Sequence, residues 1–299
     1  MFKVITHSQQ FHIDEVMAIA LLDLYFLNEN YSIIRANRKD ILIDESKLND
    51  KCFVIDVGFE YNPELLNFDH HQNSNDLCWN DGLPYSSCGL VWQWLKSKSL
   101  SNFIPNDVII VMEEKLIRKI DKHDNGIELW DDGNFISIYN RKTDDSKIQD
   151  IQFLKAVNAA KDYIENIVID IKNNIKADQT ILKYIKNSDN IEDIVIFNSN
   201  VPNGAVRVSE LTPKELVIIP RTKHSWTIQS VPENSKDIFS IKCPSPISWR
   251  GLSDEELSNV SGIANMIFCH KNGYVTMVNG SLDDALKVAR IIIDNNKHF

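Results

Sequence analysis

The 299-residue chain is predicted to be an α/β protein, with an N-terminal, mostly parallel sheet flanked by helices and a smaller α+β domain after it. Three observations carry the prediction. β-rich runs alternate with amphipathic stretches over the first 145 residues, as in parallel sheets covered by helices. A long stretch of helical period follows, to about residue 186. Beyond it, short apolar runs separated by Pro, Gly and Asn follow one another closely. The expected organisation is residues 1–145, a helical connector 146–187 and residues 188–299.

Residues 4–7, 31–37 and 52–58 read as strands, because β-branched and aromatic residues dominate and polar or turn residues end each run. Between the first two, Val16, Met17, Ala20, Leu21 and Leu24 recur at helical spacing. Residues 65–68 are a further short strand candidate, and residues 86–100 a second helix. A third helix runs from 106 to about 122, with Val108, Met112, Leu116 and Ile120 on one face. Phe153, Val157, Ala160, Ile164, Ile167 and Ile171 share a face of the long stretch, which is either one helix or two broken near Asn173-Asn174. In the last third, residues 194–198, 205–209, 216–220, 225–231, 266–270 and 274–278 read as strands. Asn272-Gly273 between the last two is a hairpin signal. A closing helix starts at Ser281 with acids in its first turn.

Bulk properties narrow the function classes. A net charge of -10 argues against non-specific coating of nucleic acid, which needs broad positive surface. It leaves metal-dependent phosphate chemistry open, since carboxylates that hold cations count as negative in the sum. No apolar run approaches the ~18–20 residues that span a bilayer. The five cysteines form no CxxC pair, so reduced thiols are expected. With a strand beginning at residue 2, the expected location is cytoplasmic and away from membranes.

Candidate chemistry gathers in four segments. His7, His12 and Asp14 lie where the first strand meets the first helix; Asp56 ends a hydrophobic strand; His70 and His71 follow residues 65–68; Asp121 and Asp124 follow the third helix. In open parallel sheets, ligands collect at the carboxyl ends of strands, so these segments are expected to converge. Imidazole with carboxylate suits manganese, iron or zinc. His7, His12 and Asp56 can serve one divalent cation, and Asp14, Asp56, His70 and an Asp of 121–124 a second, with Asp56 as the bridge. Such pairs sit ~3.5–4 Å apart and activate water beside a phosphate. Taken singly each residue has a bland explanation: Asp14 and Glu15 suit a helix first turn, and Asp124-Asn125-Gly126 suits an ordinary turn. Their ordered conjunction is what points to a site.

The residues 6–18 (THSQQFHIDEVMA), 56–72 (DVGFEYNPELLNFDHHQ), 86–90 (SSCGL) and 119–127 (KIDKHDNGI) resemble the motifs of the Myg-type (melanocyte-proliferating gene) family, a branch of the DHH phosphoesterase superfamily. HSWTIQSVP, WRGLSDEELSNVSGI and FCHKNGYV resemble its late signature. The resemblance implies a DHH-like catalytic domain and metal-dependent phosphodiester hydrolysis, with RNA cut from the 3′ end. It implies His7, His12, Asp14, Asp56, His70 and Asp124 as ligands of two divalent ions, Mn²⁺ first and Mg²⁺ second, with Asp121 a competing candidate. Asp56 and His71 are its implied catalytic residues, His71 as charge stabiliser or general acid. Two departures stand out. The family's Gly in THxGxFH is absent from Ser8-Gln9-Gln10, and its late glycine pair is replaced around Thr276-Met277.

A phosphate-chain substrate also needs cations and stacking surfaces. Arg250, Arg207, His270 and Trp249 are the candidates in the second half. The expected partner is RNA or an oligonucleotide, with a homodimer as the expected assembly. Competing expectations are a small phosphate ester (cyclic dinucleotide, nucleotide bisphosphate or polyphosphate) and a non-catalytic scaffold.

Overall fold

Strands β1 (Phe2–His7), β2 (Tyr31–Ala36) and β3 (Cys52–Ile55) pair in parallel in the computed structural model. The structure describes residues 2–28, 30–37, 52–72, 77–98, 100–141, 143, 145–188, 191 and 193–297. With β4 (Tyr61–Asn62) and β5 (Asn67–Phe68) these strands form a sheet of order β2-β1-β3-β5-β4, in which only β4 runs antiparallel to its neighbour. All four residues of β3 are buried, which its unbroken apolar composition requires of an interior strand.

Helix α1 (Ile13–Leu22) is buried along its whole length, as a helix apolar on nearly every side must be. It packs against α2 (Ser87–Ser97), and both contact α4 (Arg118–Asp124). The predicted third helix is two α-helices, α3 (Asn106–Met112) and α4, joined by a π-helical turn at Glu113–Ile117. A second such turn, Asp23–Leu27, follows α1.

The long stretch is one helix, α5 (Ser146–Asn187), without a break at Asn173-Asn174. The chain divides into two compact units, Met1–Lys172 and Asn173–Phe299, so the division falls inside this helix. No helix among the described residues is long and apolar enough to cross a membrane.

In the second unit, β6 (Ile194–Ile196), β7 (Leu216–Thr222), β8 (Ser225–Ser230), β11 (Met266–Cys269) and β12 (Val275–Asn279) form a sheet of order β11-β12-β8-β7-β6. Its pairs are antiparallel except β6 with β7. β9 (Pro232–Asn234) and β10 (Asp237–Ile241) make a separate ribbon. The hairpin expected at Asn272-Gly273 joins β11 and β12, with Gly273 at φ 75°. Helix α8 (Leu282–Lys297) closes the chain, and α7 (Asp254–Ser261) precedes β11.

One strand expectation is corrected. Residues 205–209 lie in helix α6 (Gly204–Leu211), not in a strand. Over five residues, Val206 and Val208 imitate strand alternation, whereas Ala205 and Val208 share a buried helical face at i, i+3 and pack with Phe197 and Val217.

Candidate metal centre

Sheet register brings the predicted segments together. Thr6 lies opposite Ile55, and Ile55 opposite Phe68. The next residue of each strand (His7, Asp56, Asp69) therefore reaches the same carboxyl edge, where α1 begins. Asp56 leaves β3 with φ 59°, a left-handed turn unusual for a residue with a side chain.

The loop between the two histidines is held from both sides. Arg35 donates from Nη2 to the Gln9 carbonyl (2.6 Å) and from Nε to that of His7 (3.2 Å). Its guanidinium lies over the rings of Phe11 and Phe153. Asn140 accepts from Phe11 N–H at 3.1 Å and donates to Phe11 C=O at 2.5 Å. Gln9 takes φ 71°, the backbone that suits glycine; the loop therefore keeps a left-handed turn without the glycine usual at this place in the family motif.

Three ligand groups form at the edge. His7, His12, Glu15 and Asp56 make one; Asp56, His70 and His71 a second; Asp14, His70 and Asp124 a third, the potential ligand atoms within each lying within 4.8 Å of one another. Asp56 is at the centre: its Oδ2 lies 3.5 Å from His7 Nε2, and its Oδ1 3.5 Å from both His70 Nε2 and His71 Nδ1. His70 Nε2 is also 3.3 Å from Asp124 Oδ2. Glu15 was expected only as a first-turn acid. It accepts from His12 N–H at 2.8 Å and lies 2.8 Å from His7 Nε2. Its sequence signal is the i, i+3 capping-box spacing from His12.

The charge balance of this edge is poor without a cation. Asp14 is fully buried, and its Oδ1 has no hydrogen-bond partner. Burial, then the nearby Asp56 and Asp124, hold its carboxyl well above the ordinary range. Burial also raises Asp124, against the pull of His70. Burial disfavours the charged form of His7, but Glu15 and Asp56 outweigh it and bring the group up to about 9. Crowded carboxylates with an orphaned buried oxygen beside imidazoles fit a divalent cation, which removes the repulsion and supplies the missing partner.

Asp69 serves His71. Its Oδ1 lies 2.9 Å from His71 Nδ1 and accepts from the His71 N–H at 2.8 Å, while Oδ2 accepts from Phe59 N–H at 2.8 Å. That hydrogen bond is the main cause of the raised His71 pKa, ahead of the opposing effect of burial. Asp121 does not join the ligand groups. Its carboxylate accepts from Trp79 Nε1 (2.6 Å), Ser86 N–H (2.9 Å) and Ser86 Oγ (2.7 Å). Burial pushes it up to about 6 against those three bonds. Of the two candidates in the fourth motif, Asp124 therefore faces the cluster. A cavity of about 600 Å³ opens over it, lined by His12, Asp56, His70, His71 and Asp124 on one side and by Phe11, Ile136, Ser137 and Asn140 on another. Gly133 lines it too, where a Cβ would stand 2.7 Å from Ile13.

The four candidates of the second unit have different surroundings. Trp249, a candidate stacking surface, is 3% exposed and packs in the apolar core with Leu257 and Cys269. Arg207 is committed to Asp178, with Nε 2.6 Å from Oδ1, and to Glu210. Arg250 donates to the Ser245 carbonyl at 2.8 Å and lies against Gly273, in the turn that follows His270. Arg250 and His270 thus share a corner, and Arg207 and Trp249 are occupied structurally. Thr276, where the late glycines were expected, is buried, with its hydroxyl 2.7 Å from that of Ser245.

A mostly parallel α/β sheet thus gathers imidazoles and buried carboxylates at its carboxyl edge over a cavity, in groups that could hold metal ions. The chain belongs to the MYG1_exonuc family, described as an uncharacterised protein family (UPF0160), whose model matches residues 3–293. It is 28% identical over 282 residues to a MYG1 protein of Chlamydia pneumoniae, covering 91% of this chain and 90% of that one. It is 27% identical to the MYG1 exonuclease of Mus musculus, covering 91% and 80%. Among solved structures, a pGpG-specific phosphodiesterase from Vibrio cholerae aligns over 99% of this chain and 98% of its own at 14% identity, with a TM-score of 0.31.

Proposed function

We propose that the protein is a metal-dependent phosphodiester hydrolase that removes nucleotides from RNA or short oligonucleotides in the 3′ to 5′ direction. One observation carries this: Asp56 belongs at once to the His7–His12–Glu15 group and to the His70–His71 group, the arrangement a carboxylate bridging two cations needs. His7, His12, Glu15 and Asp56 would hold one ion, and Asp14, Asp56, His70 and Asp124 the other. Mn²⁺ is the first candidate for this mixed nitrogen and oxygen set, and Mg²⁺ the second. When bound, the ions activate water and neutralise phosphate charge. The chain's own part is to place the reacting groups. Asp69 holds His71 at its Nδ1, so His71 would meet a phosphate oxygen as a charge stabiliser or give a proton to the leaving oxygen as its bond to phosphorus breaks. Arg250 and His270 are the proposed contacts to the phosphate chain. The relatives named MYG1 exonuclease support the same reading.

The cavity bears on the substrate. Its lining among the described residues contains imidazoles, the carboxylates of Asp56 and Asp124, amides, a hydroxyl and apolar groups but no Lys or Arg. A polyphosphate would find no fixed cations there beyond the metals, whereas an uncharged nucleoside would meet apolar wall and hydrogen-bonding edge. The small-ester reading survives for cyclic dinucleotides and nucleotide bisphosphates, for which a cavity of about 600 Å³ is adequate. The test is digestion of 3′- and 5′-labelled oligoribonucleotides with Mn²⁺, beside a cyclic dinucleotide, a bisphosphate and tripolyphosphate. Stepwise shortening from the 3′ end supports the exonuclease reading. Intact oligomer with every divalent metal tried removes it, and faster turnover of a small ester replaces it with the second reading.

A further inference from the structure

Asp121 stands outside the ligand groups, yet one of its oxygens is directed at the start of α2 and the other at Trp79. Oδ1 accepts from the N–H and hydroxyl of Ser86, and Oδ2 from Trp79 Nε1. Ser86 is the N-cap residue of α2, and an N-cap serine ordinarily accepts from an N–H of its own helix. Here its hydroxyl makes no cap bond and donates to Asp121. The next residue turns the other way. Ser87 donates from Oγ to Asp56 Oδ1 at 2.9 Å and from N–H to Asp14 Oδ2 at 3.3 Å. Ser86, Ser87 and Asp121 are all buried. Gly89 completes the fit, because a Cβ there would stand 2.6 Å from both Asp121 oxygens. The helix thus gives up its usual cap and turns its first residue to two carboxylates of the candidate site.

We propose that Asp121, Ser86 and Ser87 form a positioning relay in which Asp121 fixes the first turn of α2 so that Ser87 holds Asp56 and Asp14 in the orientation the cations require. Asp56 needs such a hold, since it sits in a left-handed turn at the end of its strand. The N-terminal end of α2 also places partial positive charge beside these carboxylates, which keeps them together before a cation arrives. The relay rests on the metal-site reading given above, and Asp121 takes part in it as a positioning residue rather than a ligand.

The test is calorimetric titration of Mn²⁺ into the chelator-treated full chain, together with the melting temperature of the metal-free protein and kinetics on an oligoribonucleotide. Ser87→Ala is expected to weaken Mn²⁺ binding about 10–100-fold, the usual effect of losing a partner that orients a ligand. The metal-free melting temperature should change little, and kcat should fall while KM holds. Ser87→Thr keeps the hydroxyl and is expected to restore most of the affinity. Asp121→Asn presents an amide N–H₂ to the Trp79 or Ser86 donors and is expected to weaken binding in the same direction. The double variant Ser87→Ala/Asp121→Asn should be no weaker than its worse parent, because residues acting through one chain of contacts do not add. Unchanged Mn²⁺ affinity in Ser87→Ala, with or without a drop in melting temperature, overturns the relay and leaves the metal site standing. A parent chain that takes up no Mn²⁺ overturns both.

Discussion

The two units treat buried polar groups in opposite ways. Among the described residues, the first unit buries the carboxylates of Asp14, Glu15, Asp23, Asp56, Asp69 and Asp121, whereas the buried polar side chains of the second are only hydroxyls: Ser188, Ser225, Ser230, Ser245 and Thr276. Hydroxyls are inexpensive to bury once hydrogen-bonded, but a carboxylate costs several kcal/mol unless a partner of opposite charge or several donors meet it. Four of the six have such partners. Asp23 pairs with Lys161 at 2.5 Å, Asp69 with His71, Glu15 with His7 and the His12 N–H, and Asp121 with its three donors. Asp14 and Asp56 lie in the cluster among histidines and other carboxylates. The contrast separates a unit built for packing from one that carries an electrostatic cost at its sheet edge, and such costs concentrate at functional sites.

The largest effect expected on this contrast is in the second unit. Trp249→Ala should destabilise the protein by about 3–5 kcal/mol, as loss of a buried aromatic does, while Mn²⁺ uptake by the folded fraction is retained. Chemical denaturation distinguishes this from the exposed stacking role first expected for Trp249, for which stability would hardly change. In the first unit the sign reverses. Asp14→Asn relieves the repulsion with Asp56 and Asp124 while keeping an oxygen for the Ser87 N–H, so the metal-free protein should gain on the order of 1–3 kcal/mol while losing metal affinity. A destabilised Asp14→Asn would mean that the contacts of this carboxylate outweigh its repulsion with Asp56 and Asp124, and would blur the difference between the units.

A pH series sharpens the comparison further. The His7 pKa is raised from 6.5 to about 9 in the metal-free fold, so its stabilising contribution is fully present below pH 6.5 and is lost as pH rises through 9. Chelated parent protein should therefore lose melting temperature over that window more steeply than His7→Gln. Mn²⁺ affinity should climb over the same range, because a ligand imidazole must be neutral; parallel melting curves for the two proteins would contradict the assignment. The smallest effect is expected at Gln9. Glycine is free to adopt its φ of 71°, so Gln9→Gly should stabilise by up to about 1 kcal/mol once the added freedom of the unfolded chain is subtracted. A loss of stability would show that the Gln9 side chain contributes more than its backbone strain costs.

Much of this was legible in the sequence. His7, Asp56 and His70 could be placed together because each follows a β-branched or apolar run, and strand ends of a parallel sheet share an edge. Glu15 reads in the sequence as no more than an ordinary acid of a helix first turn, and only the fold reveals that its carboxylate reaches His7. Asp121 and Asp124 could not be separated from spacing. They are three residues apart on a helix whose orientation to α2 depends on tertiary packing, and that packing turns Asp121 to Trp79 and Ser86. Trp249 was misleading because a Pro-rich loop suggests exposure, whereas Pro246 begins a 3₁₀ turn that carries the indole into the core. Residues 205–209 were too few to tell a period of two from one of 3.6.

The central claim is that Asp56 joins two cation sites, and the bound metal of Asp56→Asn beside that of the parent chain tests it most directly. After chelation, reloading with Mn²⁺ and removal of free metal, the account predicts about two ions per parent chain and loss of both in Asp56→Asn, which should remain folded. A parent chain that retains no metal, or an Asp56→Asn variant that retains as much as the parent, would contradict it.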